Sequence, residues 1–266
     1  MATNISPLAY VDPNATLGEN VTIHPFAYID RDVVIGDGSE IMPYASIIRG
    51  TKLGKNNRVF QNSVIGADPQ DFRWKGQTAT CNIGDNVVIR ENCIINRGFT
   101  TDHGTVVGSD SFIMAETHIG HDTVITGKCV LGNGVTIAGE ARVGEYVILS
   151  SGVILHERSN IGNWVLVKGG CRINGNVPPF VIMAHNPASY FGVNAVVLKK
   201  HGYTEAQVDD IAKAYRHIYQ SNTSVFNAIK RIELDIEPSA EREMILEFVD
   251  KCNNKLVAIP RDLDED

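Results

Sequence analysis

The sequence predicts a mostly-β protein: a triangular prism of short parallel strands built from hexapeptide repeats, followed by a C-terminal α-helical extension. Three observations predict it. Every sixth residue from Val11 to Ile173 gives 28 positions, and 25 of them are Ile, Val or Leu. The residue two before each aliphatic is small or β-branched, as at Ala15, Val21, Ala27, Val33, Ser39, Ala45 and Thr51. Beyond Thr204 the apolar period becomes that of a helix. Self-similarity at a fixed short period is the mark of a stack of repeats, each burying its apolar side against the next.

The elements follow in chain order. Residues 1–10 lead into the first coil. The aliphatics point inward, one per side of the prism. Gly often follows them, as at Gly18, Gly36 and Gly54, which are 18 apart. Three positions after the aliphatic come Asn20, Gly38, Asn56, Asn86 and Gly134, residue types that accept a left-handed backbone. Each hexapeptide therefore ends in a sharp corner, and three corners close one coil. About nine coils stacked ~4.8 Å apart make a prism on the order of 43 Å tall. Cys81, Cys93, Cys129 and Cys171 fall in the small-residue column and read as core packing.

Two stretches break the phase. Asp71 and Gln77 stand at aliphatic positions, so about 67–81 is an extruded loop, rich in the recognition types Gln70, Asp71, Arg73, Trp74 and Lys75. Thr101 breaks it again, which makes 97–105 a second loop. Long loops on a rigid scaffold tend to carry function, though packing on a neighbouring subunit would also account for them. The repeat is expected to end near Val177-Pro178-Pro179-Phe180, because proline cannot continue a ladder. A loop over Ala184–Asn194 follows, then Lys199, Lys200 and His201. Thr204-x-x-Gln207 is a capping box for a helix with Val208, Ile211, Tyr215 and Ile218 on one face. A second helix is expected over 224–236, closed by Pro238, and a third capped by Ser239. The acidic tail 260–266 reads as solvated. The division is thus 1–186 for the prism and 187–266 for the helical region.

Composition bounds the function. The chain has 266 residues, 43% hydrophobic and 21% charged, as a soluble globular protein has. A net charge of −7 argues against nucleic acid as a partner. Five cysteines show no metal-ligand spacing. No apolar run is long enough for a membrane span, and the start lacks a signal-peptide pattern, so the expected compartment is the cytoplasm.

A prism filled by aliphatics has no interior pocket, so a site must lie outside, and a cleft between prisms is its natural place. That implies an oligomer, and a closed trimer suits three sides. The best candidate chemistry is Thr117-His118-Ile119-Gly120-His121-Asp122. Ile119 is an inward aliphatic, so His118 and His121 face outward, and His156 lies one residue short of two coils beyond His121. Histidine is the natural general base for a hydroxyl, and an adjacent carboxylate can set its tautomer. Solvent-exposed histidines of no special role would show the same pattern.

His118-Ile119-Gly120-His121-Asp122, taken with Ile137-Ala138-Gly139, Val177-Pro178-Pro179, Phe191-Gly192-Val193-Asn194 and Leu198-Lys199-Lys200-His201-Gly202, strongly resembles the UDP-N-acetylglucosamine O-acyltransferases of lipid A biosynthesis. The resemblance covers essentially the whole chain. It implies a left-handed parallel β-helix, a homotrimer with active sites between subunits, and no cofactor or metal. His121 matches the base that takes the proton from the sugar 3-hydroxyl, Asp122 the residue that orients it, and the Gly139 N–H the group that steadies the oxyanion. His118 and His156 match histidines lining the cleft. Gln70 and Asp71 match loop residues near the acceptor and acyl chain, Gly169 the end of the acyl groove, Asn194 a nucleotide contact, and Lys200 a basic residue at the phosphates. Arg73, Glu140, Glu157 and His201 are substrate-binding by position but depart from the family: Lys, His, Gln and Arg are common there. Val196 and Pro187 also depart, standing for an acid and a His. The donor implied is a 3-hydroxyacyl chain on acyl carrier protein, an acidic partner. Lys199, Lys200, Lys213, Arg216, Lys230 and Arg231 could form its docking surface. Three other readings stay open: N-acyl transfer to an amino-sugar nucleotide, a histidine metal site of the carbonic-anhydrase type, and a non-catalytic sugar-nucleotide binder.

Overall fold

A computed structural model describes residues 3–220 and 223–257. Short strands, mostly two residues long, form sheets of eleven, nine and nine strands. One coil supplies one strand to each sheet. We name the faces A, B and C from the coil that runs Thr22–Ile23 on A, Tyr28–Ile29 on B and Val34–Ile35 on C. Among the described residues the pairs between coils are parallel and in register, except for a shift after Ile65, where Ala67 comes opposite Asn96. On face B, Ile47, Ile65, Ile95, Ile119, Ile137 and Leu155 stack in sequence as fully buried inward residues. The cysteine column is buried too, as expected.

The corners carry positive φ at the third residue after most of the aliphatics, at Asn20, Asn56, Asp122, Glu140 and Arg158 among others. Aromatic residues also stand there: Phe26, Tyr44, Tyr146 and Trp164. A left-handed backbone costs about 1–2 kcal/mol for such residues. Ring stacking between coils offsets it, with centroids 5.1 Å apart for Phe26–Tyr44 and 3.9 Å for Tyr146–Trp164.

Both insertions leave the same edge. Val64 pairs with Ile94, 30 residues on, so the first loop adds 12 to the plain coil of 18. Ile94 pairs with His118, 24 on, so the second adds 6. Each is a whole number of hexapeptides, which is why the aliphatic phase survives them. Both run from a face B strand to a face C strand, Val64–Ala67 to Cys81–Ile83 and Ile94–Asn96 to Thr105–Val107.

The ends depart from the sequence reading. Asn4–Ile5 already pairs with Thr22–Ile23, so the stack begins within the first ten residues. The ladder does not stop at the prolines. Pro178 and Pro179 fall between Asn176–Val177 and Val181–Ala184, where no ladder N–H is needed, and the latter strand continues face A beside Leu166–Val167. It then forms an antiparallel hairpin with Ser189–Val193, in the stretch expected to be a loop. A short unforeseen helix follows, α1 (Ala195–Lys200). Helices α2 (Glu205–Tyr219), α3 (Val225–Asp235) and α4 (Ala240–Lys251) match the expected three, with the Thr204–Gln207 capping box in place and Ser224 and Ser239 as caps. Val208, Ile211, Tyr215 and Ile218 are buried, and Tyr215 Oη donates to the Pro179 carbonyl at 2.5 Å, tying α2 to the prism. Helix α4 lies along face C, bounding a cleft of about 510 Å³ with Val143 and Ile161. The tail 260–266 lies outside the described residues. Among those described, no helix is long and apolar enough to cross a membrane.

Candidate active site

His121 and Asp122 occupy the B–C corner one coil above the second loop and two above the first. Positive φ at Asp122 follows from its place in the corner column. Its carboxylate, fully enclosed, accepts from the N–H of Phe99, Thr100 and Thr101, each at 3.0 Å, and from Thr101 Oγ1 at 2.9 Å. The second loop is thus wrapped around this one side chain. Burial pushes the Asp122 carboxyl up, but the hydrogen bonds from His121, Phe99 and the threonines together outweigh it and hold it below its ordinary value.

Asp122 Oδ2 lies 2.9 Å from His121 Nδ1. A carboxylate only accepts, so Nδ1 carries a hydrogen toward Asp122, and Nε2 is the nitrogen that faces outward. The ring is 7% exposed, with Phe99 5.4 Å away between centroids. The other flank of the ring rests on Gly139. A Cβ on that glycine would stand 2.5 Å from Nε2 and 2.7 Å from Cε1, so only glycine lets the next coil pass beneath the imidazole.

The outward side opens into a cleft of about 320 Å³, lined among others by Gln70, Asp71, Asn96, His118, His121 and Glu157. His118 is half-buried beside it, and burial lowers its pKa. Asp71, from the first loop, puts Oδ2 3.2 Å from His121 Nε2. Arg73 grips the same carboxylate with Nη2 at 2.6 Å and Nε at 3.0 Å, and that hydrogen bonding holds the Asp71 carboxyl well below the usual range. Arg73 Nη2 also reaches Glu140 at 2.8 Å. Glu140 takes Arg158 Nε at 2.9 Å, and Arg158 comes within 3.4 Å of Glu157. Arg158 first and Arg73 after it keep the Glu140 carboxyl low against some burial. Glu140 is thus spent on two arginines.

His156 is exposed at the same corner, next to Glu157. Four other candidates lie elsewhere on the chain. Gly169 is at the A–B corner, beside Gly170 and one coil above Ser151. His201 packs on Tyr146 and Trp164, the C–A corner, with ring centroids 5.4 and 5.0 Å away. Lys200 precedes it and is exposed. Asn194 is buried nearby, its amide donating to the Trp164 carbonyl at 2.9 Å. Of the six basic residues suggested for docking, Lys199 pairs with Glu205 at 2.8 Å, Lys213 bonds the Asp235 carbonyl and Lys230 lies over Phe226. Lys200, Arg216 and Arg231 are exposed. Among the described residues no three His, Cys, Asp or Glu side chains are grouped to hold a metal within the chain.

Sequence reasoning missed Asn96, Phe99, Thr100, Thr101 and Arg158. A signal existed for them. Once the inserted hexapeptides are removed, Ile65, Ile95 and Ile119 fall in one column, so both loops and His121 must share a corner. Arg158 follows likewise, 18 beyond Glu140.

Residues 176–257 match a family model described as UDP-N-acetylglucosamine O-acyltransferase, domain 2, and residues 5–109 match one described as a GMPPB C-terminal domain. An acyl-[acyl-carrier-protein]–UDP-N-acetylglucosamine O-acyltransferase of Pseudomonas putida strain GB-1 is 38% identical over 239 residues, 90% of this chain and 92% of the relative. A protein of the same name from Xylella fastidiosa is 36% identical over 96% of this chain and 98% of its own. Among solved structures, a UDP-N-acetylglucosamine acyltransferase from Bacteroides fragilis 9343 superposes with a TM-score of 0.92 at 41% identity, covering 96% of this chain and 99% of the other. The enzyme from Acinetobacter baumannii gives 0.92 at 30% identity, covering 95% and 99%.

Proposed function

The chain belongs to the acyl-[acyl-carrier-protein]–UDP-N-acetylglucosamine O-acyltransferases, and from that premise we propose that its B–C corner transfers a 3-hydroxyacyl chain to the sugar 3-hydroxyl with His121 as general base. The activity is acyl transfer from acyl carrier protein to UDP-N-acetylglucosamine, the first step of lipid A biosynthesis. The observation that carries the residue assignment is the setting of His121: its Nδ1 lies against a buried carboxylate and its Nε2 faces the cleft.

The steps follow from that setting. Nε2 takes the proton of the sugar 3-hydroxyl as its oxygen bonds to the thioester carbonyl carbon. The imidazolium formed is stabilised by Asp122 on the opposite nitrogen. Charge moves to the carbonyl oxygen, and the Gly139 N–H would receive it, a role supported by the close packing of Gly139 on the His121 ring. Collapse breaks the carbon–sulfur bond, and the leaving thiolate takes the proton back from His121. Gln70, His118, His156 and Glu157 line or flank the space where the sugar and the acyl carbonyl must meet.

Asn194, Lys200 and His201 would hold the nucleotide and Gly169 the acyl tail, yet they stand on other corners of the prism. One site can use all of them only if a second copy presents its own corners across the cleft. This favours a trimer with sites between subunits. Acyl carrier protein would dock on the exposed cations Lys200, Arg216 and Arg231, and both substrates are water-soluble, as suits the cytoplasm.

The test is turnover of UDP-N-acetylglucosamine with hydroxyacyl carrier protein. His121→Ala should lower kcat by about 10²–10⁴-fold, the usual range for a lost base. Near-normal activity in that variant would remove His121 from the role. Running the 3-amino sugar nucleotide beside the hydroxyl acceptor decides between O- and N-acyl transfer, and preference for the amine would overturn the O-transfer reading.

A further inference from the structure

Asp71 stands in an awkward place. A neutral His121 that gives its Nδ1–H to Asp122 has only a lone pair at Nε2, and Asp71 Oδ2 faces that lone pair at 3.2 Å. Two acceptors so close repel, unless a proton lies between them or the negative charge of Asp71 is drawn elsewhere. A proton there would make His121 an imidazolium, which cannot act as a base. Arg73 draws the charge away: its Nε and Nη2 engage both oxygens of Asp71. Arg73 lies on an extruded loop and is half exposed, so its own position needs an anchor. Glu140 supplies it from the rigid corner column, 18 residues above Asp122, and Arg158, one coil higher, holds Glu140 from the far side.

We propose that Glu140, seated by Arg158, is a positioning residue: it holds Arg73, and Arg73 holds the Asp71 carboxylate so that Nε2 of His121 stays available to the acceptor hydroxyl. The inference rests on the reading of His121 as the base and adds a relay of four side chains to it. Asp71 then acts as a gatekeeper. It occupies the place of the incoming hydroxyl at rest and yields it because Arg73 compensates its charge. Glu140 contacts neither substrate. Among the described residues, the charged and titratable groups around His121 are Asp122 on its own corner, Asp71 and Arg73 on the first loop, and His118 and Glu157 around the cleft. The second loop sets the Phe99 ring against His121. Of these, Arg73 is the one cation within reach of Asp71.

The consequences have a sign. When Arg73 is loosened, Asp71 faces His121 as an uncompensated anion, which favours the imidazolium. Activity on the acid side then falls and returns as pH rises. The experiment uses the full-length protein with Glu140→Gln, Arg158→Gln, Arg73→Gln and the Glu140→Gln/Arg73→Gln double variant. Glu140→Gln should move the acid limb of kcat/KM up by about one pH unit, the usual size for a nearby charge. It should lower kcat about tenfold below that limb, recover at higher pH, and change KM for UDP-N-acetylglucosamine by less than about twofold. Arg158→Gln should move the limb the same way by less, and the double variant should match Arg73→Gln alone. NMR titration of His121 without substrate gives a readout independent of turnover: its midpoint should rise in Glu140→Gln while the unfolding temperature stays put. That shift in a chain without turnover would keep the relay and sink only the acyl-transfer reading. A raised KM with an unmoved pH profile would make Glu140 a substrate contact and overturn the proposal, as would an unmoved His121 midpoint.

Discussion

Gly139 shows how little room the site has at the scale of single residues. A methyl group there would lie within 2.5–2.9 Å of three atoms of the His121 ring, so the imidazole would have to tilt away from Asp122 or the coil would have to shift. Its φ is not in the left-handed region, so the constraint is space and not backbone conformation. Gly139→Ala should therefore fold with an almost unchanged unfolding temperature while kcat falls by about 10²-fold, the effect of misplacing a reacting group by roughly an ångström. Parallel calorimetry and kinetics check this, and full activity would mean that the ring has slack the geometry denies. His121 and Asp122 were legible in the sequence because the inward slot belongs to Ile119, which leaves its neighbours outside. For Arg158 and Thr101 the repeat arithmetic gave the corner but no role, since an arginine at a corner and a threonine in a loop are ordinary surface residues until a partner is seen.

At the scale of elements, the two loops account for most of the site. The second exists to satisfy one carboxylate: three of its N–H groups and a hydroxyl close on Asp122. Excising 98–103 removes one hexapeptide and restores the plain coil length, so the ladder should reclose. The far-UV spectrum should stay that of a β protein, whereas kcat should fall by at least about 10²-fold because Asp122 loses its donors and no longer fixes the ring. Retained activity would show that the corner alone holds the carboxylate. The positions of both loops were readable as breaks in the aliphatic column, and their common corner was implicit in the arithmetic of six. Their conformations were not readable, because irregular backbone has no period. The prolines misled at the C-terminal end for a related reason: proline forbids a strand position, but at a corner between strands it costs nothing.

For the whole molecule, the decisive fact is that one chain scatters its candidate residues over three corners. His121 and its loops are at B–C, Gly169 at A–B, and Lys200 and His201 at C–A. If sites form between copies, chains carrying His121→Ala and chains carrying Lys200→Glu should complement each other. Mixed and reassembled in equal amounts, they should recover on the order of a quarter of wild-type activity, because random assembly pairs the two intact corners in one interface of four. No recovery would place each complete site within one chain.

The sequence by itself determined the solenoid, its three-sided cross-section, the direction of nearly every core side chain and the places where the coil must open. It could do so because a hexapeptide repeat buries its side chains through contacts of fixed spacing, and fixed spacing is visible in a string of letters. Only the tertiary structure decided which outward residues meet. Asp71 reaches His121 across 50 positions, and Arg73 reaches Glu140 across 67. Such contacts depend on how two aperiodic loops fold back on a corner, and that is set by hydrogen bonds of no fixed spacing.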